Sequence, residues 1–332
     1  MTKTYDVVGL GAAIVDILAR VDDAFLGAHG VAKGGMTLVD SGRAEAIYGA
    51  MGPAREISGG SAANTIAGLA SLGAAVAFAG KIKDDQLGAI FAHDIRAIGA
   101  RFETPPFPEH APGATARCMI MVTPDAERSM CTDLGVSGLL SVGDLPAAAL
   151  SDAQIVYLEG YLWDRPETKR AFGAAMERTK AAGGRAALTL SDAFCVERHR
   201  DSFREIIRGP VDILFANEAE ILSLYQTEDF EAAADQVARE VPLVALTRSE
   251  KGCVVLADGA RADVPAEPIE QLVDTTGAGD QFAAGFLYGL TRGAAPEICG
   301  RMGCAAAAEV IQHLGARPEA DLKALFSDRG LI

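Results

Sequence analysis

Asp274-Thr275-Thr276-Gly277-Ala278-Gly279-Asp280 runs straight into an apolar stretch of helical period, Gln281-Phe-Ala-Ala-Gly-Phe-Leu-Tyr-Gly-Leu290. Glycines at 277 and 279 just before a helix let consecutive backbone N–H groups converge, and the helix N-terminus adds its partial positive charge. The junction is therefore an anion hole. An acidic residue inside it has two readings: Asp280 caps the helix, stabilising it by about 1 kcal/mol, or it is a base held beside a phosphate. Asp274 and the two threonines, dense in side-chain donors and acceptors, bring the second reading level with the first.

Outward from this junction, short β-branched runs alternate with helical-period segments, the pattern of βαβ units around a largely parallel sheet. Expected core strands are Asp6–Leu10, Val76–Ala79, Ile155–Leu158, Ala186–Leu190, Val211–Phe215 and Leu243–Thr247. Expected helices are Ala62–Leu72, Gln86–Ile98, Pro166–Ala182, Phe194–Ile207, Glu231–Arg239, Ala278–Thr291 and Pro296–His313. Cys253–Ala257 and Arg261–Val264 read as a hairpin about Asp258-Gly259. Two regions break the alternation and read as strands and turns, about 17–55 and 112–132. Their pairing into a small protruding sheet predicts a lid on one large domain spanning residues 1–332.

Composition sets outer limits. The 332 residues are 49% hydrophobic and 23% charged, which suits an ordinary folded protein and disfavours disorder. A formal charge of −15 repels phosphodiester backbones, so nucleic acid is not an expected partner. No basic leader followed by an apolar stretch, and no run long enough to span a membrane, is read in the sequence, which predicts a cytoplasmic protein. The six cysteines, Cys118, Cys131, Cys195, Cys253, Cys299 and Cys304, lack zinc-ligand spacing and read as buried small residues.

Three further segments could bind ligands. Ser58-Gly59-Gly60-Ser61-Ala-Ala-Asn64 opens a helix: it is a plain cap, or its small residues let a ligand approach while Asn64 meets hydroxyls. Gly9-Leu-Gly11-Ala-Ala-Ile14-Val-Asp16 resembles the start of a dinucleotide fingerprint, with Asp40 as a conceivable ribose ligand. Ile14 takes the place of its third glycine, though, and a strand takes the place of its helix. Asp16 remains suited to a polyol. Asn217-Glu-Ala-Glu220 follows a strand, where it is a capped helix start or a pair able to hold Mg²⁺ through its waters. No Walker loop is present, so a nucleotide would have to bind differently.

Taken in order, Gly11–Asp16, Gly59-Gly60 with Asn64, Asn217-x-x-Glu220, Thr247 with Gly252, and Asp274–Asp280 resemble the ribokinase (PfkB-type) family of carbohydrate and nucleoside kinases. Within it, Pro112–Cys118, Glu127–Ser129, Leu188–Ser191 and Val211–Glu218 are similar to the adenosine kinase branch, whereas Lys83 stands where the family usually has glycine. The resemblance implies a ribokinase-like three-layer α/β/α fold with a small β-sheet lid. It implies transfer of the γ-phosphate of ATP to a primary 5′-hydroxyl, adenosine to AMP foremost. A ribose- or fructose-type sugar, or inosine, guanosine or cytidine, is the alternative acceptor.

On this resemblance Asp280 is the general base, and the amides of Gly277, Ala278 and Gly279 hold the moving phosphate. Asp16, Gly59, Gly60, Ser61 and Asn64 bind the ribose, and Arg128 reaches the phosphate. Asn217, Glu220, Thr247 and Gly252 lie on the nucleotide side, with Glu220 acting on Mg²⁺ through water and Asp274, with Thr276, on a monovalent cation such as K⁺. Apolar lid side chains (Met36, Leu38, Met119, Met121, Met130) would wall a nucleobase, and Tyr161, Leu162 or Trp163 either stack on it or pack the core. The family contains both monomers and dimers joined through the lid.

Overall fold

The computed structural model describes residues 3–125 and 127–332; Met1 and Thr2, part of the stretch read for a leader, and Ala126, inside the expected 112–132 segment, lie outside the described residues. Fourteen strands occur in chain order: β1 (Tyr5–Leu10), β2 (Ile14–Arg20), β3 (Met36–Leu38), β4 (Arg55–Gly59), β5 (Val76–Ala79), β6 (Arg101–Phe102), β7 (Ala116–Val122), β8 (Arg128–Asp133), β9 (Ala153–Glu159), β10 (Arg185–Thr189), β11 (Ile213–Asn217), β12 (Leu243–Thr247), β13 (Cys253–Ala257) and β14 (Ala260–Val264).

Nine of them form the large sheet, in the order β14-β13-β12-β11-β10-β9-β1-β5-β6. Pairing is parallel from β12 through β6, and only the β12–β13–β14 ribbon is antiparallel. The turn of that ribbon is Asp258-Gly259, both with positive φ, as a tight right-twisted hairpin requires.

Alternate residues of each strand feed opposite layers. Val7, Phe78, Ile155, Tyr157, Phe215 and Val255 pack against helices Ser61–Ser71, Gln86–Ala97, Ala278–Thr291 and Pro296–Val310. Their neighbours Val8, Ala77, Val156, Leu188, Leu214 and Val254 pack against helices Pro166–Ala181, Ala193–Ile207, Glu218–Tyr225 and Phe230–Ala238. Burial on both faces is why these strands read as unbroken apolar runs. Gly285 lets two helices cross closely, since a Cβ there would stand 2.4 Å from the Met302 carbonyl oxygen.

The other five strands make a mixed sheet in the order β3-β8-β7-β2-β4, built from 14–59 and 116–133. The expectation of strands and turns alone over 17–55 needs correction, because helices Asp23–Ala28 and Ser41–Ala50 lie within it. They carry too few apolar residues to show a helical period, and their signals are the caps: Asp22 accepts from Phe25 N and Asp40 from Arg43 N, both at 2.8 Å. Asp40 is thereby a cap, not a ribose ligand. Elsewhere, helix Glu218–Tyr225 and the terminal helix Leu322–Asp328 add to the expected set.

All six cysteines are free and buried. Among the described residues no helix is long and apolar enough to cross a membrane. Phe286 is fully buried and meets Phe215 edge-on, with ring centroids 5.3 Å apart. Phe286→Ala is expected to cost about 3–5 kcal/mol, the range for emptying an aromatic site in a close-packed core; denaturant unfolding at fixed pH measures it.

Candidate active site

Two helix N-termini meet at Asp280. Gly277 caps the Ala278–Thr291 helix in the left-handed region (φ 81°), which glycine adopts without strain, and a Cβ there would strike Ala316 Cα at 2.6 Å. Asp280 follows in the first turn. From the facing helix, the Ser61 hydroxyl donates to its Oδ1 at 2.6 Å and Asn64 Nδ2 donates to its Oδ2 at 3.1 Å. Thr65 Oγ1 donates to the Asp280 carbonyl oxygen at 3.2 Å, and buried Gln281 bridges the Asn64 and Ala316 carbonyl oxygens at 3.0 and 2.9 Å.

Burial pushes the Asp280 carboxyl up to about 6, against the opposing hydrogen bonds of Ser61 and Asn64. Among the described residues, the N–H groups of Gly277, Gly279 and Asp280 have no acceptor, while Ala278 N–H donates to Thr275 O at 3.2 Å. The N–H groups left free at this junction are thus those of 277, 279 and 280, while Ala278 is already engaged.

Asp16 on β2 lies on the sheet face shared with Ile57 and Cys118. Burial raises it to about 7; Arg317 pulls down and Asp280 pushes up. Gly59 leaves the room Asp16 needs, since a Cβ there would sit 2.2 Å from Asp16 Oδ2. Gly60, with φ 99°, is the N-cap of helix Ser61–Ser71. Asn64 Oδ1 is buried and unpaired, an acceptor left for a hydroxyl.

Glu159, not foreseen as a site residue, takes Ala12 N at 3.2 Å and Ala62 N at 2.8 Å, and burial raises it to about 8. It ties the 11–13 loop to the start of the facing helix. Its signal was an apolar strand ending in a carboxylate at the sheet's carboxyl edge. The close fit explains Gly11, where a Cβ would stand 2.3 Å from Glu159 Oε2. With β2 following that loop in place of a helix, the segment is not a dinucleotide fingerprint.

The structure places three further groups named by the sequence. Arg128 on β8 sits on Asp274 at 2.5 Å and donates to Thr276 Oγ1 at 3.2 Å, so in this structure its guanidinium engages the signature loop. Met119 and Met121 pack with Leu26, Ala44 and Ile47 under the small sheet's helices, because strand alternation turns them away from Asp16. Leu162 and Trp163 are core, Trp163 stacking on Phe203 at 5.2 Å. Tyr161, in contrast, stands among Asp192, Asp280, Glu220 and Glu159, where burial and these charges raise its phenol.

A family model described as pfkB family carbohydrate kinase matches residues 51–322. The chain belongs to that family. The crystal structure of a probable sugar kinase protein from Rhizobium etli CFN 42 has a TM-score of 0.93 and 48% identity, covering 100% of both chains. That of adenosine kinase from Sinorhizobium meliloti has a TM-score of 0.90 and 49% identity, covering 99% of this chain and 100% of that one. Adenosine kinase 2 of Arabidopsis thaliana is 28% identical over 344 residues, 95% of this chain and 96% of its own. This pfkB-family protein is a phosphotransferase with an alcohol acceptor, a nucleoside or sugar kinase that uses ATP.

On the other side of Asp280, the kinase aligns Thr247 with Asn217 at the ends of β12 and β11. Asn217 and Glu220 form a reciprocal capping box: Asn217 N and Nδ2 donate to the two Glu220 oxygens at 3.0 and 2.6 Å, and Glu220 N donates to Asn217 Oδ1 at 2.8 Å. Burial raises Glu220 to about 7, with Asp192 adding to the shift. Each Glu220 oxygen keeps a second lone pair. The pair thus fits Mg²⁺ reached through water, not a direct cage, and among the described residues no cluster of three metal-ligating side chains occurs.

Asp274 does not fit a monovalent cation in this arrangement: its oxygens accept Thr276 N at 3.0 Å and Gly315 N at 2.9 Å, and Arg128 meets its charge. Gly252, with φ 84°, closes the turn after β12. Beyond the signature, Ile269, Leu272, Val273 and Leu314 are exposed apolar residues that sequence reading passed over.

The Arg128–Asp274 pair is well shielded, with side chains 14% and 2% exposed. Arg128→Met should destabilise the kinase by about 3 kcal/mol, because it leaves a buried carboxylate uncompensated. Adding Asp274→Asn should recover part of the loss, which thermal melts of the four proteins will read.

Proposed function

We propose that this kinase phosphorylates the 5′-hydroxyl of a ribonucleoside, adenosine foremost. The observation that supports a nucleoside over a free sugar is the open face of the small sheet. Met36 and Leu38 are 42% and 45% exposed. Register puts Met130 and Ile120 in line with Met36, and Ile57 and Cys118 beside Asp16. An apolar wall continuing from a polyol-binding carboxylate suits a molecule with a ribose at one end and a flat base at the other. The sheet then acts as a lid that shuts water out of the reaction.

The chemistry follows from Asp280. It takes the hydroxyl proton as the new O–P bond forms and the bond from the γ-phosphorus to the β,γ-bridging oxygen breaks, releasing ADP. The free amides of Gly277, Gly279 and Asp280 and the helix dipole meet the charge moving on the phosphoryl oxygens. Asp16, Gly59, Gly60, Ser61 and Asn64 fix the acceptor, Ser61 and Asn64 partly by holding Asp280 itself. Thr247, Gly252 and the apolar group around Leu272 and Leu314 line the nucleotide side. Mg²⁺, held through waters by Glu220 and Asn217, supplies charge neutralisation to the phosphates when bound.

Asp280→Asn should lower kcat roughly 10²-fold or more while ATP binding holds, the loss expected for a missing general base. Near-normal turnover would refute the assignment. Because the base works deprotonated, wild-type kcat/KM should hold above pH about 7 and fall as pH drops through about 7 and about 6. Asp16, raised to about 7 and coupled to Asp280, titrates in the same limb, so the limb belongs to the pair.

ADP release with adenosine, inosine, guanosine, cytidine, ribose and fructose at equal concentration decides the acceptor. A clear preference for adenosine is expected. A preference for a free sugar overturns the nucleoside reading and leaves the family intact.

A further inference from the structure

Arg317 lies in the loop after helix Pro296–Val310, and its neighbours hold that loop against the signature. Gly315 N donates to Asp274 Oδ2 at 2.9 Å, and the Ala316 carbonyl accepts from Gln281 Nε2 at 2.9 Å. The backbone position is therefore set by the active site. Among the described residues, Nε and Nη2 of Arg317 are buried with no hydrogen-bond partner. A buried donor is costly unless it is paired, so the fork is built for acceptors that come from elsewhere.

The charges that reach Arg317 show which side it serves. Asp16 of β2 and Asp94 of helix Gln86–Ala97 act on it, and it lowers Asp16 in return. Asp94 is already taken up by Ser58 Oγ at 3.1 Å and His93 Nδ1 at 3.3 Å, and Arg128 is committed to Asp274. Burial depresses Arg317 itself, as for a guanidinium no carboxylate has fully neutralised. The free edge thus belongs to the acceptor subsite beside Asp16.

We propose that Arg317 is a specificity-determining residue for the acceptor, its Nε–H and Nη2–H donating to the oxygens of a vicinal ring diol whose hydroxyls donate to Asp16. A hydroxyl both gives and takes a hydrogen bond, so a carboxylate and a guanidinium on either side satisfy it completely. The inference rests on the kinase reading above.

The test uses the best acceptor from the panel with its 2′- and 3′-deoxy counterparts. Arg317→Met should raise KM for the parent ten- to a hundredfold, the loss expected for a charge-assisted hydrogen bond, with kcat within about threefold. KM for at least one deoxy analogue should stay unchanged, so discrimination collapses. The acid limb of kcat/KM should move to higher pH as Asp16 loses its cation. Arg317→Lys should restore that limb and not the discrimination.

Unchanged KM and discrimination in Arg317→Met, with a wild-type melting temperature, overturn the proposal. If the Met protein does not fold, full discrimination retained by Arg317→Lys overturns it. If wild type turns over none of the panel, the acceptor reading is at fault. Calorimetric binding of adenosine against 2′- and 3′-deoxyadenosine to wild type and variant then still decides Arg317: equal affinity ratios in the two proteins reject it.

Discussion

A carboxylate held by neutral donors between two helix N-termini is the constraint around which the molecule is organised. Asp280 takes a hydroxyl and an amide from the facing helix, Ser61 and Asn64, and among the described residues no cation is one of its hydrogen-bonding partners. Such a group stays costly to ionise, which raises its carboxyl to about 6. Holding it demands that two helices from distant parts of the chain start at the same point. Gln281, buried and bridging both, is the pin, and Gly277 gives the backbone its turn.

Around Asp280 the acids multiply. Asp16, Glu159 and Glu220 are all raised mainly by burial, and charge from Asp280 reaches the first two. Backbone N–H groups and helix starts compensate them more than basic side chains do: Glu159 takes two amides from two segments, and Glu220 takes the Asn217 cap. Among the described residues, cations enter this scheme at two points. Arg128 closes on Asp274 from the small sheet, and Arg317 stands open beside Asp16.

The small sheet shows how a strand's period of two divides labour. One face, with Met119, Met121 and Cys131, is roofed by two short helices; the other carries Asp16 with Ile57, Cys118, Ile120 and Met130. Because β2 and β7 pair in parallel and β7 and β8 antiparallel, segments far apart in sequence contribute to the same face.

What the sequence determined by itself was what local chemistry encodes. The Gly277–Asp280 junction, the parallel-sheet alternation and the Asp258-Gly259 turn depend on φ preferences and periodicity within a few residues. Asn217 and Glu220 were legible for the same reason, as a cap. Tertiary structure decided the rest. The side a methionine faces follows from strand pairing, so Met119 could not be told from Met130. Glu159 and Arg317 matter only because segments more than a hundred residues away meet them. Arg128 chose Asp274 for a physical reason no motif contains: a buried carboxylate takes the cation that folding brings within reach.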